Sequence, residues 1–127
     1  MLAYAALTET LRVTVRPVWL ESQSEPLEGK FTFTYFVEIA NEGEDEVQLL
    51  RRHWFIRDGD GHVEEVEGEG VVGRQPVIGP GEIHRYNSFC VLRTFTGTME
   101  GTYLMQRSSG ERFRVTIPRF DLVAMGG

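Results

Sequence analysis

Between residues 31 and 39 an apolar side chain recurs at every second position: Phe31, Phe33, Tyr35, Val37 and Ile39. Thr32, Thr34 and Glu38 fall between them, with Phe36 as the exception. A period of two puts alternate side chains on opposite faces of an extended chain. The stretch 30–41 therefore predicts a long strand with one buried face, central to the core. Each large apolar side chain buried there contributes about 1.5–3 kcal/mol before entropy is charged.

Shorter stretches continue the theme. Residues 11–16 alternate cleanly, and Pro17 just beyond them marks an edge strand or a bulge. Residues 47–57 form a further strand whose phase changes at Leu49-Leu50, the signature of a bulge. Residues 62–67 are rich in carboxylates, as expected of an exposed edge. Strands follow at 83–94, at 97–105 and at 112–117, where Pro118 is expected to end the last one. Asn41 to Glu46, Asp58 to Gly61, Gly79 to Glu82 and Ser108 to Glu111 supply turn chemistry.

No amphipathic helical repeat appears. The pattern predicts an all-β protein, an antiparallel sandwich of immunoglobulin or fibronectin type III kind with about seven or eight strands. A small closed barrel is the alternative. Residues 1–10 read as a loosely held arm or a helical turn, 11–122 as one domain, and 123–127 as a tail.

The charge balance narrows the function. Nineteen acidic against thirteen basic residues give a net charge of −6, which offers no basic footprint for nucleic acid. No run approaches the roughly 20 apolar residues of a membrane-spanning helix, so no membrane insertion is expected. Cys90 is the lone cysteine, lying in an apolar run, so no intrachain disulfide forms. That usage fits a reducing cytoplasm.

Catalytic and metal patterns are missing. His53, His62 and His84 have no zinc spacing. The Asp58-Gly59-Asp60-Gly61 turn fails the calcium-loop pattern. There is no G-x-S-x-G elbow. The expectation is a non-enzymatic domain with no cofactor and no metal; the enzymatic alternative is a metal-dependent phosphohydrolase, which needs clustered carboxylates.

Two stretches remain as candidate binding sites. Gly68-Glu69-Gly70-Val71-Val72-Gly73 is a G-x-G-x-x-G, but Arg74-Gln75-Pro76 and further Gly and Pro residues follow it where a dinucleotide fold needs a helix. The stretch reads either as an inter-strand loop or as a nest of backbone N–H groups for an anion, with Arg74 adding charge. The second is Arg51-Arg52-His53-Trp54. On a strand Arg52 and Trp54 share one face. They serve either as a surface arginine beside a core tryptophan or as recognition anchors.

Several blocks together carry a resemblance. They are Gln23-Ser24 with Pro26, Val47-Gln48-Leu49-Leu50, His53-Trp54 with Ile56, the glycine stretch with Gln75-Pro76, Pro80-Gly81, Tyr86, Met99-Glu100-Gly101, Tyr103, and Ile117 with Phe120. From Val13 to Leu122 the chain resembles the ApaG family. The resemblance implies a fibronectin-type sandwich. It also implies an association with cobalt and magnesium efflux, the label given to bacterial members. Related domains in eukaryotic F-box proteins and in a polymerase-interacting protein look like protein-interaction modules. A pyrophosphate role proposed for the family's glycine motif falls here on Gly68, Gly70 and Gly73. The expected partner is thus an unidentified protein. The alternative is a phosphate-containing ligand at the 68–73 loop. Exposed edge strands are also compatible with a homodimer.

Overall fold

The computed structural model describes residues 2–125. Nine antiparallel strands build two sheets. They are β1 (Tyr4–Thr8), β2 (Leu11–Trp19), β3 (Phe31–Asn41), β4 (Val47–Asp58), β5 (Val63–Glu69), β6 (Val77–Ile78), β7 (Ile83–Leu92), β8 (Thr96–Arg107) and β9 (Arg112–Val123). One sheet runs β1-β2-β3-β7; the other runs β5-β4-β8-β9, with the short β6 also paired to β4. Two short 3-10 turns, at Glu21–Gln23 and Pro26–Glu28, fill the link from β2 to β3. The sandwich expected from the alternation is the fold observed.

The core lies between the sheets. Phe33, Tyr35, Val37 and Ile39 of β3 are at most 5% exposed, as their spacing predicts. Leu49 and Trp54 of β4, Met99, Tyr103 and Met105 of β8, and Val115, Ile117 and Phe120 of β9 face them from the second sheet. Phe36, the exception in the pattern, lies on the outer face, where the Arg16 guanidinium sits 5.1 Å from its ring centroid. Gly101 has a packing reason: a Cβ there would lie 2.0 Å from the His53 carbonyl oxygen on β4.

Three details correct or sharpen the reading of the sequence. Residues 4–8 are not a loose arm or a helical turn. They form β1, paired with β2 from Tyr4↔Val15 to Thr8↔Leu11. Pro118 does not end the last strand. β9 continues to Val123, and its pairing with β8 shifts register where Pro118 and Arg119 intervene between Ile117 and Phe120. A bulge leaves a residue outside the ladder, so the missing proline N–H is tolerated there. The expected bulge in β4 is present between Leu49 and Arg51. Of the expected 123–127 tail, Val123 belongs to β9 and Ala124 is buried, while residues 126–127 lie outside the described residues.

Candidate functional site

The glycine stretch is explained from its backbone outward. β5 carries Gly68, which pairs with Arg52 of β4. The Arg52 guanidinium lies across it, so a Cβ at position 68 would come within 2.9 Å of Arg52 nitrogens. Arg52 Nη1 then donates to the carbonyl oxygens of Glu69 and Gly70, each at 2.9 Å. Gly70 has φ +62, and a Cβ there would sit 2.0 Å from the Arg74 carbonyl oxygen. Val71 and Arg74 exchange backbone hydrogen bonds of 2.8 and 3.0 Å, closing a two-residue turn over Val72 and Gly73. Both central residues have positive φ, +47 and +75, as a type I′ turn requires. Gly73 adopts this freely. For a β-branched residue such as Val72 the same conformation is strained.

The turn is moored to the β4 bulge. The Leu50 carbonyl accepts hydrogen bonds from Gly70 N at 2.9 Å and Gln75 Nε2 at 3.0 Å. Gln48 Nε2 donates to the Gln75 carbonyl, and Leu49 N to the Pro76 carbonyl. A bulge leaves backbone groups outside the ladder, and here the 70–76 segment satisfies them.

Beside this turn the two sheets part to leave a cleft of about 340 Å³. Tyr35, Trp54, Met99 and Cys90 form its floor, and Ile56 and Val66 its inner wall. Val72 and Gly73 form one rim; Tyr86, Ser88 and Phe89 of β7 form the other. Arg52 also lines the cleft. The rim is open, with Val72 65% exposed and Phe89 68% exposed. The floor is dry. Burial pushes the Tyr35, Tyr86 and Tyr103 hydroxyls above their ordinary range. The hydroxyls of Tyr86 and Tyr103 hydrogen-bond each other. Burial also pushes the Cys90 thiol up to about 12, so it stays a protonated, inert thiol. On β7, burial lowers the His84 pKa, with the Arg74 charge acting in the same direction.

The candidate residues therefore divide by role. Arg52, Trp54 and Gly73 meet at the cleft, whereas Gly68 and Gly70 hold the turn that shapes it. Trp54 is 3% exposed and serves as floor rather than surface anchor. Arg74 hydrogen-bonds within the turn through its backbone. The amides of Gly70, Val71 and Arg74 are spent on backbone carbonyls. The carbonyls of residues 69 and 70 face a guanidinium, a polarity opposite to that of an anion nest. Sequence reasoning assigned no role to Val72, which it showed only within the glycine stretch, or to Tyr86, which it showed only within the resemblance, and it did not single out Ser88 or Phe89. Tyr86, Ser88 and Phe89 are thus the ones it left without a site. All three lie on β7, and only the pairing of β7 with β3 at the sheet edge brings them opposite the turn.

The ApaG domain family model matches residues 21–107. The chain belongs to the ApaG family. Protein ApaG of Methylobacterium sp. (strain 4-46) is 53% identical over 119 residues, covering 94% of this chain and 92% of that protein. Protein ApaG of Anaeromyxobacter dehalogenans is 50% identical, covering 95% of each. The crystal structure of a Bordetella pertussis protein described as ApaA superposes with a TM-score of 0.87 at 44% identity, covering 89% of this chain and 92% of that one. The ApaG match contains β3 to β8 in full, and so both the glycine turn and the strand that faces it across the cleft.

Proposed function

We propose that this ApaG domain is a non-enzymatic interaction module that docks an extended protein segment along the outer edge of β7, with an apolar side chain of the partner entering the cleft beside the 71–74 turn. The observation that carries this reading is the exposure of two large apolar side chains beside one cleft, Val72 on its rim and Phe89 on the adjoining outer face of β7. The strain at Val72 adds support, since unfavourable backbone conformations persist where the surrounding structure enforces them and cluster at binding sites. β7 is ten residues long and, among the described residues, pairs only with β3. Its exposed side carries Ile83, Phe89 and Val91 and a single charge, Arg85. An unpaired edge of that composition is a template for strand addition. In the cell this module serves divalent-cation homeostasis in the cytoplasm, in keeping with the cobalt and magnesium association of the family.

Photocrosslinking tests the reading. A benzophenone amino acid placed at Val72 or Phe89 should trap a discrete protein in cells, and the same group at Leu27, on the remote 3-10 turn, should not. V72D and F89D should each reduce capture at least tenfold. A second copy of the chain in the crosslink would make the edge a homodimer contact. Equal capture from all three positions rejects the site.

A further inference from the structure

The outward faces of β4 and β5 bring together three side chains of metal-ligand chemistry. His53 and Glu67 are opposed in register, and Glu65 lies two residues along β5 on the same face. His53 Nε2 is 3.0 Å from Glu65 Oε2 and 3.8 Å from Glu67 Oε1, and one donor atom from each residue lies within 4.8 Å of the other two. His53 Nε2 has no solvent exposure and, despite the nearby carboxylate, makes no hydrogen bond. An orphaned buried nitrogen needs an explanation. A ring nitrogen without a hydrogen-bond partner, set between two carboxylate oxygens, is an arrangement that a bridging cation resolves.

We infer that His53, Glu65 and Glu67 form a binding site for a first-row divalent transition-metal ion such as Zn²⁺. With metal–ligand bonds of about 2.0–2.2 Å, tetrahedral donors stand roughly 3.3–3.6 Å apart. The observed 3.0 and 3.8 Å bracket that spacing. One imidazole and two carboxylates suit such an ion better than Mg²⁺ or Ca²⁺, which favour oxygen-only shells. The fourth position belongs to water or to an incoming ligand. Glu65 and Glu67 are 54% and 52% exposed, so an ion can enter from solvent. Among the described residues neither makes an ion pair with a lysine or arginine that would compete. The Phe55 ring packs 4.6 Å from the imidazole, centroid to centroid, and fixes its orientation. The ligands stand on paired strands rather than on a loop, so their spacing is set by the sheet. The site is separate from the cleft: Arg52, Trp54 and Val66 alternate with its ligands and face the sandwich interior. It was hidden in the sequence because its ligands pair across strands, with no short spacing to reveal them.

Calorimetric titration of chelator-treated protein with Zn²⁺ tests the site, together with Mn²⁺ broadening of assigned amide resonances. The expected result is one ion per chain, with broadening centred on residues 53, 65 and 67. E65Q and E67Q should each weaken binding about tenfold or more. Both carboxylates are half exposed, so these variants keep the fold, and matching thermal melts without metal establish that. Absence of binding at millimolar Zn²⁺, unchanged affinity in both variants, or broadening centred on the acidic 42–46 turn or on Asp58 and Asp60 would each overturn the assignment.

Discussion

Gly70 and Gly73 look alike in the sequence and differ in the structure. Both have positive φ, but a Cβ on Gly70 meets the Arg74 carbonyl at 2.0 Å, whereas a Cβ on Gly73 meets nothing within 4 Å. Gly73→Ala should therefore cost only the left-handed penalty, about 1–2 kcal/mol. Gly70→Ala adds a clash with backbone that can be relieved only by opening the turn, and should cost about 3 kcal/mol or more. Chemical denaturation of the two variants separates these cases, and equal losses would contradict the geometry. The motif was visible in the sequence, but its meaning was not. G-x-G-x-x-G spacing is shared by phosphate loops and by turns, and what decides here is Arg52, sixteen residues before Gly68 in the chain and directly opposite it on β4.

Strands β7 and β8 belong to different sheets, and one hydrogen bond, between the hydroxyls of Tyr86 and Tyr103, ties them together beneath the cleft. Tyr103 is fully buried, whereas Tyr86 lines the cleft. Removing one partner of a buried pair strands the other, at about 1–3 kcal/mol. Tyr86→Phe strands the inaccessible Tyr103 hydroxyl and should fall at the upper end of that range. Tyr103→Phe strands a hydroxyl that cleft water can reach and should cost less. The double variant should be less destabilised than the sum of the two. The pH dependence has a definite sign. Burial raises both folded pKa values above the ordinary 10.0, so the unfolded chain loses these protons first. The resulting stability is complete below about pH 10 and declines as pH rises beyond it. Melting curves above pH 10 should show a shallower decline for the double variant, and parallel curves would remove the tyrosines from the alkaline transition. Alternation placed Tyr103 in the core. Its partner could not be read, because nothing local links positions 86 and 103.

Across the molecule, the described residues form two sheets with four edges, and these edges are treated differently. The β1 and β9 edges meet on one side of the sandwich. Tyr4 and Phe120 pack with ring centroids 6.2 Å apart, Thr116 N donates to Thr8 Oγ1 at 3.0 Å, and Arg107 forms an ion pair with Glu9. On the other side the β5 edge is guarded by Glu64, Glu65, Glu67 and Glu69, whereas β7 carries a single charge, Arg85, paired with Glu38. Strands, turns and core positions followed from period-two alternation, because burial on one face dictates it. The inventory of edges did not, because the order of strands in a sheet leaves little trace in sequence. Residues 1–10 show the gap most clearly: a short apolar stretch that reads as an arm is the strand that seals one side. Deleting residues 2–9 tests that assignment. The loss of the half-buried Tyr4 and its aromatic contact should cost about 2–4 kcal/mol. For a domain of this size that lowers Tm by roughly 5–15 °C. β2 then becomes a bare edge, so the shortened chain should also self-associate at concentrations where the full chain does not. Capture through Val72 and Phe89 should persist below the new Tm, because the cleft lies on the opposite side. An unchanged Tm would mean that the first ten residues are an arm after all, and that the sandwich is open on both sides.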